Sequence, residues 1–335
     1  MPPTTRAAPL LMAMLSLTGL RASAAEQPDT EQQVAARKLL EAGRWEEALK
    51  AFKGLDSDSG GRCAACVLGM AEAQLQLHKD SDAIKSCDRA LRLGLTDAPL
   101  RLQAHNLKAM ALGRRSGDDP ATLQEVEHEL RLALQDGPDD ADARFNLGYA
   151  LLRQRRDTEG ATELQRALEL HPQGTIADQA RLLIGDPRRA RERFAPEFSL
   201  LTAQGEELGL AQLKGRVVII DFWATWCRPC VAAVPELHAL MKKYPSDQLV
   251  VVSISADQDE QAWRDFVEKK AMSWPQYLDK DRRIQKLFGV NVFPTYLVID
   301  GEGIVRKELR GTNPQKSVAY RLKETLAEFP QLKPR

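Results

Sequence analysis

A run of apolar strand residues that leads directly into two cysteines three positions apart is the strongest constraint in this sequence. The stretch reads VVIIDFWATWCRPC and covers residues 217–230. Four consecutive β-branched residues favour a buried strand. The proline between the cysteines favours the first turn of a helix, where its missing N–H would have no partner in any case. The sequence therefore predicts a strand that ends beside a helix with both cysteines near its start.

Two chemistries compete for Cys227 and Cys230, a metal clip and a redox pair. A structural zinc site needs four ligands, and this part of the chain offers only His238 in addition, with no second cysteine or histidine pair. Haem attachment requires a histidine directly after the second cysteine, where the chain has Val231. A helix N-terminus would stabilise the thiolate of Cys227. We therefore predict a redox-active pair, without a metal or other cofactor.

The overall charge narrows the classes of partner. Lys plus Arg and Asp plus Glu both total 47 among 335 residues, so the formal net charge is zero. No global field favours nucleic acid or an anionic membrane surface. Five cysteines are too few for a disulfide-stapled scaffold of this length. We therefore expect no nucleic-acid partner.

Residues 1–24 have the parts of a cleavable secretory signal. A basic start is followed by an apolar core and by the small residues Ala22 to Ala25. The core is shorter than the roughly 20 residues of a spanning helix, although an uncleaved anchor is an alternative. We expect export to the periplasm or another extracytoplasmic compartment, where disulfides persist, and no membrane span after cleavage.

Residues 26–185 repeat a helical pattern of small and bulky positions. The segments 42–52, 79–91 and 156–172 share this spacing, and the period of about 34 residues resembles the tetratricopeptide repeat. Three to four such units would stack around a continuous core. Arrays of this type bind peptides in a concave groove, and four residues predicted on one face of the last unit are Asp142, Phe145, Tyr149 and Leu152. Contacts between neighbouring repeats are the alternative role for this face.

The composition changes near Asp186, and we interpret residues 186–196 as a linker because they are basic and contain two prolines. Beyond it, apolar strand-like runs alternate with helical patterns, which predicts an α/β domain with a central sheet over residues 197–335. The predicted fold class is thus multidomain, an all-α helical repeat array followed by an α/β domain.

The second half of the chain resembles the thioredoxin superfamily, in particular its extracytoplasmic TlpA/ResA-type thiol–disulfide oxidoreductases. The resemblance runs over about residues 194–330 and rests on PEFSLLTAQGEELGLAQLKGRVVIIDFWATWCRPC and NVFPTYLVIDGEGIV. It implies a thioredoxin fold, with Cys227 as the attacking thiol and Cys230 as the resolving thiol. It also implies that Pro294 is a cis-proline facing the dithiol. The substrates would be protein disulfides or dithiols, as in relatives that serve cytochrome maturation or copper handling.

Three further residues complete the predicted site. Asp221 ends the apolar run, and burial of its carboxyl would suit it to exchange a proton with Cys230; a water-exposed strand end is the alternative. A cis-proline would expose the backbone of Phe293 to a substrate strand, and we expect Trp226 to wall the site. Relatives often carry a glutamate where this chain has Ala233, so acid–base work falls to Asp221.

The remaining cysteines lie in the repeat region. Cys63 and Cys66 form a second C-x-x-C in GGRCAACVLG, which is consistent with a structural disulfide, a second redox pair or two unrelated apolar residues. Cys87 occupies a core position of the repeat, where we expect an inert thiol.

The sequence thus favours an exported protein thiol–disulfide oxidoreductase that uses its repeats to bind partners. The alternative from another class is an interaction scaffold with a redox-responsive appendage. A peroxidase is a weaker alternative, because the opening PEFSL is shared with peroxiredoxins but their single-cysteine motif is not seen.

Overall fold

A computed structural model describes residues 30–313 and 315–334. The predicted secretory signal, residues 1–24, lies outside the described residues. Among the residues that are described, no helix combines the length and apolar character needed to cross a bilayer. The chain divides into two compact units, with the division after Arg191.

The first unit is helical. Each of its helices packs against the next one along the chain. Nine α-helices form it within the described residues: α1 Glu31–Glu41, α2 Trp45–Asp58, α3 Ala64–Gln76, α4 Asp80–Arg92, α5 Ala98–Ser116, α6 Pro120–Asp136, α7 Ala141–Arg153, α8 Asp157–Leu170 and α9 Thr175–Gly185. A short 3-10 helix, Pro187–Ala190, follows them. The predicted all-α array is confirmed.

Small residues set how closely these helices approach. A Cβ atom on Gly148 of α7 would lie 2.7 Å from Leu164 Cγ and 2.8 Å from the Gly160 carbonyl oxygen of α8. Such separations are too short for non-bonded carbon atoms, so glycine at this position permits the close packing of the two helices. In α4, Cys87 is fully buried, and burial raises the pKa of its thiol.

The second unit contains a mixed sheet and the helices around it. Its strands are β1 Ser199–Leu201, β2 Glu207–Gly209, β3 Val217–Trp223, β4 Leu249–Ser255, β5 Gln276–Leu278, β6 Thr295–Ile299 and β7 Val305–Arg310. Its helices are α10 Leu210–Leu213, α11 Arg228–Lys243, α12 Glu260–Lys269, α13 Arg283–Leu287 and α14 Val318–Leu326. The predicted α/β domain is confirmed.

The five-stranded sheet has the order β5-β4-β3-β6-β7. Strand β3 runs parallel to β4 and antiparallel to β6. All seven residues of β3 are buried, because side chains on both faces of this central strand enter apolar clusters. The carboxyl end of β3 therefore delivers the chain from the middle of the core to the start of α11.

Part of the segment interpreted as a linker pairs with the start of β7. Phe194 forms an antiparallel bridge with Ile304. The N–H of Val305 donates to the carbonyl oxygen of Arg193 at 2.7 Å, and the N–H of Ala195 donates to the carbonyl oxygen of Gly303 at 2.8 Å. These residues belong to the second compact unit, which begins at residue 192.

Candidate active site

Cys227 and Cys230 form a disulfide at the N-terminus of α11. Cys227 is the N-cap residue, and its Sγ accepts a hydrogen bond from the N–H of Cys230 at 3.3 Å. Pro229 lies within the first turn, where a missing N–H costs nothing. Both residues are buried, with Cys227 6% and Cys230 3% exposed. The same N–H that contacts the disulfide would stabilise a thiolate on Cys227 after reduction, because helix N-termini favour anions.

The residues predicted to meet substrate are linked to this disulfide through Trp226, which directly precedes Cys227. The Phe293–Pro294 peptide bond is cis, and Phe293 packs against the apolar cluster that contains both cysteines. The ring of Trp226 stands edge-on to that of Phe293, with centroids 5.8 Å apart. Trp226 is 63% exposed, and Val292 next to Phe293 is 45% exposed. The structure thus places an exposed apolar surface next to the cysteine pair.

Asp221 is buried in the centre of the sheet and is only 2% exposed. Its Oδ2 accepts a hydrogen bond from Ser253 Oγ at 2.8 Å, whereas Oδ1 has no hydrogen-bond partner among the described residues. Ser253 Oγ in turn accepts a hydrogen bond from Trp274 Nε1 at 2.8 Å. Burial raises the pKa of Asp221 to about 7, and the hydrogen bond from Ser253 opposes that rise. Its carboxyl can therefore both take up and release a proton near neutral pH.

The side of the sheet that Asp221 faces follows from the two-residue period of a strand. Ile219 and Trp223, two positions before and after it, both belong to the apolar cluster that contains Cys227 and Cys230. Asp221 therefore faces the side of the sheet on which the cysteine pair lies. Tyr296 of β6 lies opposite Asp221 of β3 in the antiparallel pair. Burial, together with the nearby Asp221 carboxyl, raises the pKa of the Tyr296 phenol.

A second buried carboxylate was missed by sequence reasoning. Asp257, just beyond β4, is 4% exposed and accepts hydrogen bonds from the N–H of Thr225 at 3.0 Å and from its Oγ1 at 2.7 Å. Ser255 Oγ donates to the same carboxylate at 2.6 Å. Asp257 thus anchors the loop that leads into Cys227. The sequence feature that could have identified Asp257 is its position directly after a buried strand, at the sheet edge where the cysteines lie.

The four repeat residues predicted on one face of α7 do not form an open groove. Phe145, Tyr149 and Leu152 are buried in the core of the helical unit. Asp142 is half-buried, and burial together with the nearby Asp140 raises its pKa to about 6. This arrangement favours the alternative interpretation, in which these side chains form contacts between repeats.

Cys63 and Cys66 also form a disulfide, at the start of α3. Cys87 is the one cysteine of the described residues that is free. Across residues 30–313 and 315–334, no group of three or more histidine, cysteine or acidic side chains lies close enough together to hold a metal ion.

Comparison with known proteins extends these observations. Residues 192–308 match the AhpC/TSA family, and residues 34–98 and 127–175 match the tetratricopeptide repeat. The thiol-disulfide oxidoreductase ResA of Bacillus thuringiensis (strain Al Hakam) is 30% identical over 152 residues, which are 45% of this chain and 84% of ResA. The thioredoxin-like protein YneN of Bacillus subtilis (strain 168) is 35% identical over 131 residues, 38% of this chain and 76% of YneN. The crystal structure of StoA from Bacillus subtilis aligns with a TM-score of 0.35 and 26% identity, covering 39% of this chain and 96% of StoA.

Proposed function

We propose a function from one premise: the chain belongs to the family of thioredoxin-like thiol–disulfide oxidoreductases that includes ResA. Within that family, this chain is an exported reductase that cleaves disulfides in partner proteins and carries tetratricopeptide repeats for binding them. The observation that carries the proposal is the Cys227–Cys230 disulfide at the start of α11, on the sheet face that also holds the buried carboxyl of Asp221.

The first step is attack by the Cys227 thiolate on one sulfur of a partner disulfide. A mixed disulfide forms, and the other partner sulfur leaves as a thiolate with the bonding electron pair. The N–H of Cys230, which lies 3.3 Å from Cys227 Sγ, stabilises the attacking thiolate. Cys227 is the more exposed of the two residues, and it is the one that a partner would reach.

The second step releases the partner. Asp221 accepts the proton of the Cys230 thiol, and the Cys230 thiolate attacks Cys227 Sγ. The second partner sulfur leaves as a thiolate, and the Cys227–Cys230 disulfide forms. The partner has gained two electrons and the enzyme has lost two, so a separate dithiol donor must reduce the enzyme again. A carboxyl whose pKa is raised to about 7 suits this role, because it changes protonation near neutral pH.

Partner proteins would dock on the apolar surface beside the disulfide. Trp226 and Val292 are exposed there, and the cis peptide bond before Pro294 turns the chain at Phe293. An extended partner segment can add its backbone to that of Phe293 as a short strand. Supply of reduced cysteines for cytochrome maturation or copper handling is the role that the resemblance of the sequence suggests.

The experiment is insulin reduction by the full chain and by its Cys227→Ser and Cys230→Ser variants. We expect both variants to lose activity, whereas Cys87→Ser should keep it. We expect Cys230→Ala to accumulate mixed disulfides with partner proteins, since the resolving thiol is gone. Wild-type activity in both serine variants would refute the proposal.

Wild-type activity in both serine variants would favour a second candidate function, an interaction scaffold whose thioredoxin-like domain responds to redox state. The observation in its favour is that repeat sequences cover residues 34–98 and 127–175. The scaffold function predicts partner binding that persists when both active-site cysteines are replaced by serine.

A further inference from the structure

The disulfide in the repeat unit lies in surroundings that reproduce those of the active-site pair. Cys63 is the N-cap of α3, and its Sγ accepts a hydrogen bond from the N–H of Cys66 at 3.1 Å. Cys227 accepts the corresponding bond from Cys230 at 3.3 Å. In both places the first sulfur of a C-x-x-C caps a helix and the second lies one turn inside it.

A side-chain amide supplies further hydrogen-bond donors to the disulfide of the repeat unit. Gln33 Nε2 lies 3.5 Å from Cys63 Sγ and 3.6 Å from Cys66 Sγ, and it donates to both. The other end of this amide is held by a capping box, in which Gln33 Oε1 accepts a hydrogen bond from the N–H of Thr30 at 2.7 Å. A sulfur in a disulfide is a weak acceptor, whereas a thiolate forms charge-assisted bonds of about twice the strength of neutral ones. These donors therefore stabilise the reduced form more than the oxidised form.

The two sulfurs differ in access. Cys63 is half-buried, whereas Cys66 is 1% exposed. Cys63 follows the Gly60–Gly61 turn and the exposed Arg62. A thiol from solution therefore meets the sulfur of Cys63 and leaves that of Cys66 shielded.

Stabilisation of the fold does not account well for this disulfide. A link between residues three positions apart closes a very short loop, so it removes less entropy from the unfolded chain than a long-range link does. Cys66 is already packed in the apolar cluster formed by α1, α2 and α3. A redox function, in contrast, accounts for the donors from Cys66 N–H and Gln33 and for the accessibility of Cys63.

We propose that Cys63–Cys66 is a second redox-active site, which exchanges with small thiols or dithiols while the repeat unit stays folded. The thiolate of a dithiol donor attacks Cys63 Sγ, the Cys63–Cys66 bond breaks, and Cys66 leaves with the electron pair and takes a proton. The second donor thiolate then attacks the donor sulfur of the mixed disulfide and releases Cys63. The donor loses two electrons and two protons, and the cysteine pair gains them. Nothing in this exchange depends on the function proposed for Cys227 and Cys230.

The test uses the full chain with Cys227→Ser and Cys230→Ser, so that only the repeat-unit disulfide can react. The folded protein is equilibrated in buffers of reduced and oxidised glutathione, alkylated without denaturant, and its labelled cysteines are counted by mass spectrometry. We expect reversible labelling of the Cys63–Cys66 pair, while the fully buried Cys87 stays unlabelled. A disulfide that opens only after denaturant is added would overturn the proposal.

A second measurement tests which groups stabilise the thiolate. In the same protein with Cys66→Ser, Gln33→Glu keeps the capping-box acceptor but replaces the N–H donor by a carboxylate. We expect the midpoint pH for iodoacetamide alkylation of Cys63 to rise by about one unit or more. A shift of this size corresponds to the free energy of one hydrogen bond to a charged group. The matched control is Gln32→Glu, which makes the same change at an exposed position of α1. Equal midpoints in the two variants would contradict the role assigned to Gln33.

Discussion

The buried carboxyl of Asp221 allows a quantitative prediction about stability and pH. Its pKa rises from 3.8 to about 7 on folding, chiefly because burial disfavours the charged form. The folded protein therefore holds this proton more tightly than the unfolded chain does. The stability that Asp221 contributes is fully present below about pH 4 and is lost as the pH rises to about 7. A difference of about 3 units, at 1.36 kcal/mol each, corresponds to about 4 kcal/mol.

The substitution that isolates this effect is Asp221→Asn. Asparagine has nearly the same shape and keeps a carbonyl oxygen that accepts the hydrogen bond from Ser253, but it does not ionise. We expect the free energy of unfolding of the variant to exceed that of the wild type by an amount that grows with pH. The difference should increase by up to about 4 kcal/mol between about pH 4 and pH 7 and then stay constant.

The measurement is urea unfolding of the oxidised full chain, followed by tryptophan fluorescence across this pH range. Four of the five tryptophans lie in the second unit, so the signal reports mainly on the sheet that contains Asp221. The control is Asp247→Asn, at an exposed position, which should leave the pH profile unchanged. Parallel profiles for wild type and Asp221→Asn would refute the reasoning, since they would show that Asp221 titrates alike in the folded and unfolded states.

Three further substitutions test the packing, the loop anchor and the apolar surface. Gly148→Ala should lower the free energy of unfolding of the repeat unit by about 1–3 kcal/mol, because the new Cβ would lie 2.7 Å from Leu164 Cγ. Gly54→Ala, with no atom within 4 Å of the new Cβ, should raise it by up to about 1 kcal/mol; circular dichroism melting compares the two, and equal shifts would contradict the close approach. Asp257→Ala should lower kcat for insulin reduction by up to about 100-fold with less effect on KM, since it releases the loop before the first active-site cysteine; an unchanged kcat would show that the anchor is dispensable. Trp226→Ala should raise KM for insulin by about tenfold but leave the reduction of a small aromatic disulfide little changed; equal effects on both substrates would argue against a docking surface.

The sequence predicted the central strands because they are long and apolar. The β-branched run that begins at Val217 predicted a strand, and β3 extends from Val217 to Trp223. Strand β4, Leu249–Ser255, is one of the apolar strand-like runs on which the α/β prediction rested. Strand β5 was not predicted, since three residues are too few for a periodic pattern and it forms only by pairing with the end of β4. Tertiary pairing, which local sequence does not encode, therefore decides the short strands.

The difference between local pattern and tertiary contact also separates the site residues that were predicted from those that were missed. Cys227 and Cys230 are recognisable because the chemistry needs them at a fixed local spacing. Asp257 and Gln33 were missed because each acts on residues about 30 positions away, at Thr225 and at the Cys63–Cys66 pair. Hydrogen bonds of this kind leave no period or motif, so only the folded chain reveals them.

The bridge between Phe194 and Ile304 bears on where the chain can be shortened. A polypeptide that began at residue 197 would lose Arg193 and Ala195, which hydrogen-bond to Val305 and Gly303, together with Phe194, which bridges Ile304 between them. The outermost strand would then offer unsatisfied amide and carbonyl groups to the same strand of another molecule, a common origin of aggregation. A soluble, monomeric thioredoxin-like fragment should therefore begin at or before Glu192, so that its own N-terminal segment shields the sheet margin.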